Sequence, residues 1–134
     1  MHLAAMNPDS NVLQYLLKTY PLMVKLTDQF GMTALHCACS EGILQNVKLL
    51  LECPVIKSLD AGDNEGDSPL HRASHNGHEE VVNYILSISK AKSIDIKKVN
   101  NFGETAEDCA KREGHTEVLK IFEIHHFLFE LSLL

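Results

Sequence analysis

The stretch that decides the fold is Gly66-Asp67-Ser68-Pro69-Leu70-His71-Arg72-Ala73. A related stretch occurs earlier, at Gly31-Met32-Thr33-Ala34-Leu35-His36-Cys37-Ala38, and another occurs later, at Gly103-Glu104-Thr105-Ala106-Glu107-Asp108-Cys109-Ala110. The glycines that begin these stretches are 35 and 37 residues apart. Recurrence of a short motif at a nearly fixed period is typical of a repeat protein, in which each period forms one structural unit.

Each period predicts two short helices joined by a tight turn. A hydroxyl residue suitable for an N-cap precedes the first helix, at Thr33, Ser68 and Thr105. A glycine follows that helix where the chain must reverse, at Gly42, Gly77 and Gly114. The second helix carries an apolar stripe, as in Val81, Val82, Ile85 and Leu86. Helices this short are unstable alone, so the units must stack on one another.

The segments Ser68–Ala73 and Gly77–Leu86 resemble the ankyrin repeat, whose signature is T-P-L-H-x-A and whose period is about 33 residues. The resemblance extends from Met1 to about Glu123. It implies an all-α fold, an ankyrin-repeat solenoid of stacked helix-turn-helix units with short β-hairpin loops. We expect an ankyrin repeat domain at residues 1–123, with four repeats at about 1–27, 28–62, 63–99 and 100–123. An apolar C-terminal helical extension is expected at residues 124–134.

The two ends of the chain depart from the repeat pattern. The first unit begins at Met1, inside the motif, so we expect either a piece of a longer array or a shortened gene product. The fourth unit has polar residues in the Leu-His slots, at Glu107 and Asp108, as a capping unit requires. The extension after it is mostly apolar. The alternatives for that extension are docking on a further element, weak self-association, insertion into a membrane surface, and folding back on the repeats.

Composition excludes several classes of protein. The chain has 134 residues and a formal net charge of −6, without a basic block, which argues against nucleic acid as a partner. No apolar run reaches the roughly 20 residues of a membrane helix, so no stable membrane insertion is expected. The four cysteines form no CxxC pair, which favours a reducing compartment, the cytoplasm or alternatively the nucleus.

The sequence shows no constellation of catalytic residues. It contains no Gly-rich phosphate loop, no HExxH pattern and no Ser-His-Asp order. Cys37 and Cys39 diverge on a helix, as do the adjacent His125 and His126, so neither pair is expected to chelate a metal. We therefore predict a protein that is not an enzyme and that has no cofactor and no metal site.

The resemblance implies that His36 and His71 are structural and bond to backbone and hydroxyl groups between units. It also implies a concave groove formed by the hairpin tips and the exposed side of the first helices. The predicted partner-binding residues at the tips are Gln29, Phe30, Met32, Asn64, Glu65, Asp67, Asn101, Phe102 and Glu104. Those on the helices are Ser40, Glu41, His75, Asn76, Arg112 and Glu113, preceded in the first unit by Met6 and Asn7.

These residues favour a particular kind of partner. Phe30 and Phe102 either anchor a partner or pack over their own hairpins. Acidic groups in the set outnumber basic ones by four, so we expect a basic or polar protein or peptide. Asn64, as a surface tip, is expected to be replaceable at a cost below about 0.5 kcal/mol. The predicted function is a protein-protein interaction module, a scaffold or adaptor. The alternative is a regulatory ankyrin fragment of a larger enzyme or channel whose chemistry lies elsewhere.

Overall fold

The eight α-helices of the protein follow one another in pairs. The computed structural model describes residues 1–134 and contains no β-strand. A 3₁₀ turn at Pro21–Lys25 follows the second helix. The helices are α1 (His2–Ala5), α2 (Asn11–Thr19), α3 (Ala34–Glu41), α4 (Leu44–Leu51), α5 (Pro69–His75), α6 (Glu79–Ile88), α7 (Ala106–Glu113) and α8 (Thr116–Ser132). The predicted all-helical stack of helix-turn-helix units is confirmed.

The helices form two rows. The odd-numbered helices contact one another in chain order, and α4, α6 and α8 do so in the second row. Ala38, Ala73 and Ala110 have no exposed surface, and these small side chains allow the inner helices to lie close together. The apolar stripes of α4 and α6 are buried as the periodicity predicts, with Val47 and Val81 fully inaccessible, whereas on α2 Leu13 is buried but Val12 is 52% exposed. One continuous core therefore runs along the stack.

Each of α3, α5 and α7 begins at a capping box. At the start of α5, the Ser68 hydroxyl accepts a hydrogen bond from the His71 amide at 3.3 Å, and His71 Nδ1 accepts one from the Ser68 amide at 3.1 Å. The equivalent pairs are Thr33 with His36 and Thr105 with Asp108. These bonds satisfy amides that an α-helix leaves without a partner at its N-terminus.

The other ring nitrogen of the motif histidine joins one unit to the next. His36 Nε2 lies 2.8 Å from the carbonyl oxygen of Asp67, and His71 Nε2 lies 2.9 Å from that of Glu104. Both histidines are almost completely buried. Each ring thus caps its own helix and holds the following loop, which confirms the structural role implied by the resemblance.

The turns between paired helices are linked in the same way. His78 Nε2 lies 2.7 Å from the Ser40 carbonyl oxygen, and the equivalent His115 ring bonds to the preceding unit. Gly42 ends α3 at a φ of 73°, a left-handed conformation that side chains disfavour. A Cβ atom at Gly42 would also overlap the His78 ring. The glycine is therefore required both by the turn and by the neighbouring unit.

The loops predicted as β-hairpins are tight turns without strand pairing. Each is closed by two backbone hydrogen bonds, such as those from the Asp63 amide to the Asp67 carbonyl and from the Gly66 amide to the Asp63 carbonyl, both at 2.9 Å. Neighbouring loops are joined by one backbone bond, from Asn64 to Phe30 and from Asn101 to Glu65. These few bonds form tight turns and no ladder between strands, so the loops form a row of linked tips.

The outer helix α8 continues beyond the fourth unit. Val118 and Phe122 in its first half are buried against the stack. Its second half exposes large apolar side chains, namely Ile124, Phe127, Leu128, Phe129 and Leu131. The extension therefore does not fold back to bury itself on the repeats. None of the eight helices combines the length and the apolar composition needed to cross a bilayer.

Burial of His36 predicts a dependence of stability on pH. Desolvation lowers the pKa of His36 below its ordinary value of 6.5, although the Asp67 carbonyl and the Asp63 charge oppose this. The unfolded chain therefore takes up this proton first as the pH falls. The stability that neutral His36 contributes is complete above pH 6.5 and decreases as the pH falls from 6.5 towards the lower, folded-state pKa.

We expect the His36 ring resonances of the folded protein to titrate below pH 6.5 in NMR spectra, with a parallel decrease in the urea midpoint. The urea-unfolded chain is the control, because its histidines should titrate at the ordinary value. Titration of folded His36 at or above 6.5 would contradict the proposed desolvation.

Candidate functional site

The loop tips and inner helices enclose a concave groove between the third and fourth units. This groove has a volume of about 710 Å³ and is largely polar. The residues that line it are Glu65, Asp67, Arg72, His75, Asn100, Phe102, Glu104 and Arg112. Arg72 and His75 share one side of α5 because they are three residues apart on a helix. All but Arg72 and Asn100 are residues that the sequence predicted.

Arg72 forms the most buried ion-pair cluster of the groove. Its guanidinium donates to Asp63 Oδ2 at 2.6 and 2.8 Å and to Glu65 Oε2 at 3.1 Å. The Asp63 side chain has no exposed surface, and Asp67 Oδ2 lies 3.5 Å from Arg72 Nε. A buried carboxylate needs such a partner, since an unpaired charge there would be costly.

Sequence reasoning missed Arg72 and Asp63. The sequence did contain an indication of this pair. Arg72 occupies the motif position after the histidine, where the neighbouring units have Cys37 and Cys109. A single arginine among small apolar residues implies a carboxylate beside it, and Asp63 begins the adjoining loop. Adding one base and one acid leaves the excess of four acidic groups in the predicted set unchanged, whereas the lining of the groove itself has three acidic residues and two arginines.

Arg112 forms a second cluster on α7. Its Nε donates to Glu104 Oε2 at 2.8 Å, and it also contacts the Glu113 carboxylate. The hydrogen bond from Arg112 holds the pKa of Glu104 below its ordinary value. His75 Nδ1 lies 3.6 Å from Glu113 Oε1. Both arginines of the groove are thus paired within the protein.

Asp67 does not occupy the exposed tip position that the sequence predicted. It is only 7% exposed, and its Oδ1 accepts a hydrogen bond from Asn100 Nδ2 at 2.9 Å. The physical reason is that Asp67 directly precedes Ser68, the N-cap of α5, and faces Asn100 of the next unit. Asp67 contributes charge to the groove but little contact surface.

The predicted asparagines connect neighbouring units. Asn64 Nδ2 donates to the Gln29 carbonyl at 3.0 Å, and Asn101 Nδ2 donates to the Asn64 carbonyl at 3.0 Å. On the inner helices, Asn76 Nδ2 donates to the Ser40 carbonyl at 2.9 Å. These side chains are exposed, yet their amides are already engaged in holding the row of tips together.

The two predicted aromatic anchors are exposed. Phe30 is 58% and Phe102 73% accessible, so neither is buried over its own loop. They occupy the same tip position in the second and fourth units, and Glu65 occupies it in the third. Of the other predicted residues, Glu41 and Asn7 are exposed, whereas Met32 and Met6 are half-buried.

Stacked helix pairs, linked by buried histidines and presenting a row of tips, define a helical repeat protein of the solenoid class. A family model described as ankyrin repeats (3 copies) matches residues 1–98. The chain belongs to the ankyrin repeat family.

Several curated proteins share this sequence pattern. The chain is 33% identical over 92 residues to human Ankyrin repeat domain-containing protein 63, covering 69% of the chain and 24% of that protein. It is 34% identical over 92 residues to mouse Protein phosphatase 1 regulatory subunit 12A, covering 67% of the chain and 8% of that protein. It is 40% identical over 88 residues to human Transient receptor potential cation channel subfamily A member 1, covering 65% of the chain and 7% of that protein. The chain thus spans at most about a quarter of these relatives' lengths.

The tip contacts change the expectation for Asn64. Because Asn64→Ala removes the bond to the Gln29 carbonyl, we expect it to lower the free energy of unfolding by about 1 kcal/mol, more than a free surface position would. Asn83→Ala is the matched control, since Asn83 is exposed on α6, where alanine favours the helix. Urea unfolding measures both. Equal effects would show that the bond between tips contributes no net stability.

Proposed function

We propose that this chain is a protein-protein interaction module, a scaffold or adaptor, that binds a partner protein or peptide through its concave groove and loop tips. The observation that carries the proposal is the exposure of Phe30 and Phe102 on tips whose backbones are fixed by hydrogen bonds. Aromatic side chains on a fixed backbone make effective anchors, because the backbone loses little conformational freedom on binding.

The charge of the groove supports a basic or polar partner. Arg72 and Arg112 are already paired with carboxylates of the protein, while Glu41 and Glu65 remain largely exposed. The excess of acidic groups would attract a basic segment and orient it during association. Binding of this kind weakens as salt screens the charges.

We propose no catalytic role for the groove and no cofactor in it. Its charged side chains pair with one another, and none is placed as a nucleophile beside a general base. The four cysteines are free thiols, which supports a reducing compartment such as the cytoplasm, with the nucleus as the alternative.

A second candidate is a regulatory ankyrin segment within a larger enzyme or channel. The relatives favour it, because their repeats lie in much longer proteins, two of them named as a phosphatase regulatory subunit and a cation channel. Sequencing the full transcript distinguishes an independent interaction module from a regulatory segment of a larger protein. A reading frame with a catalytic or channel domain would support the second candidate.

The exposed half of α8 supports weak self-association. Its apolar side chains lie on more than one side of the helix, so contact with the stack alone cannot cover them. Apolar surface of this kind is characteristic of a contact site. The proposal is that two copies associate through residues 124–134.

We expect Phe30→Ala and Phe102→Ala to weaken binding of a partner selected from a peptide library, by roughly tenfold or more if each is an anchor. The affinity of the unaltered chain should decrease as salt rises. Fluorescence anisotropy with the selected peptide measures both effects.

Tyr15→Ala is the matched control for the groove variants, since Tyr15 is an exposed aromatic residue on α2, outside the groove. Equal losses in all three variants would contradict binding through the tips. Affinity that is unchanged between low and high salt would contradict the electrostatic part of the proposal.

Removing Phe127–Leu134 should leave the repeats folded, because Val118 and Phe122 lie before the cut. We expect the full chain to associate as its concentration rises and the shortened chain to remain more monomeric. Analytical ultracentrifugation across a concentration series measures this, with circular dichroism as the control for folding. A full chain that stays monomeric at the highest concentration would contradict self-association.

A further inference from the structure

Three residues that are distant in sequence meet between the first and second units. His2 belongs to α1, Asp28 begins the loop that precedes α3, and Cys37 lies on α3. Each offers one atom that could ligate a metal, and these three atoms lie within 4.8 Å of one another. The cluster exists only because the units stack, so pairwise spacing along the chain does not reveal it.

The same three positions recur at the next two interfaces with different chemistry. They are His36, Asp63 and Arg72 at the second interface, and His71, Asn100 and Cys109 at the third. At the second interface the arginine supplies a cation 2.6 Å from the carboxylate. At the third, a neutral amide replaces the carboxylate. The first interface alone combines a thiol, an imidazole and a carboxylate, and it has no cationic side chain in the arginine slot.

We propose that His2, Asp28 and Cys37 form a Zn²⁺-binding site, with water or a partner's side chain as the fourth ligand. Imidazole nitrogen, carboxylate oxygen and thiolate sulfur are all zinc ligands, and a site with three protein ligands keeps one position open. Sulfur and nitrogen favour zinc over Mg²⁺ or Ca²⁺. On binding, the Cys37 thiol releases its proton to solvent as the sulfur–zinc bond forms.

The required movement is small. Zinc–ligand bonds of about 2.0–2.3 Å place tetrahedral ligand atoms about 3.3–3.8 Å apart, so no pair of these atoms has to approach by more than about 1.5 Å. Asp28 is exposed on a loop, whereas Cys37 on α3 is only 5% exposed, so the adjustment falls mainly on the Asp28 side chain. His2 Nε2 lies 2.7 Å from the Met32 carbonyl oxygen, so the ring exchanges this hydrogen bond for the metal or binds through Nδ1.

The Asp28 carboxylate acts electrostatically on the neighbouring Cys37 thiol. Burial, and secondarily the Asp28 charge, raise the pKa of the Cys37 thiol to about 11. A divalent ion beside both groups would offset the repulsion between carboxylate and thiolate, as Arg72 neutralises Asp63 one unit later.

The test is titration of the full chain, under reducing conditions, with Co²⁺ as a spectroscopic substitute for zinc. We expect a thiolate-to-cobalt absorption band in the near ultraviolet that saturates at one equivalent of Co²⁺. Adding Zn²⁺ should displace the cobalt and remove this band. Cys37→Ala should abolish the band. Asp28→Asn should weaken binding at least tenfold. Asp28 Oδ1 accepts hydrogen bonds from two amides of its loop, and Asn100 Oδ1 accepts the two equivalent bonds in the fourth unit, so this variant should fold.

Cys109→Ala is the matched control, since Cys109 occupies the same motif slot beside an asparagine. It should leave the cobalt band and affinity unchanged, and Zn²⁺ should raise the melting temperature of this control but not of Cys37→Ala. Absence of a band in excess cobalt overturns the proposal. So does a band that survives Cys37→Ala, or an affinity that is unchanged by Asp28→Asn.

Discussion

The structure depends on the two-sided hydrogen bonding of the buried motif histidine. In α5, His71 accepts from the Ser68 amide through one ring nitrogen and bonds to the Glu104 carbonyl through the other. One residue therefore starts its own helix and fixes the position of the following loop. Since helices of this length are unstable alone, the chain folds only through contacts between units, and these links fix the geometry in which the continuous core packs.

The groove follows from that constraint. Once each ring holds the next loop, the tips form a row, and Asn64 and Asn101 link that row at its surface. The row fixes the spacing between Phe30 and Phe102, which therefore face solvent from a rigid backbone. The charged side chains below them complete their own pairs, so the exposed aromatic positions are those best able to gain new contacts on binding.

Local pattern was sufficient to predict the helices, caps and turn glycines, because each depends on residues a few positions apart. Thr33 with His36 and the glycine at Gly42 are examples. The pattern failed where a contact crosses between units. Asp67 is buried because Asn100 of the next unit reaches it, and the Arg72–Asp63 pair spans a loop and a helix. The tight turns at the loops likewise reflect how few backbone bonds each loop can make.

The two rows of the stack end differently. In the fourth unit Asp108 replaces the motif histidine, and it caps α7 through its bonds with Thr105, which hold the pKa of Asp108 below its ordinary value. A carboxylate cannot donate to a further carbonyl as an imidazole can, so α7 lacks the link to a following loop that the motif histidine provides in α3 and α5. In the outer row, α8 continues past α7 as a helix with exposed apolar side chains. A structure that covers α8 would therefore contact the outer row without the histidine link that orders the repeats, and its contacts would have to be apolar.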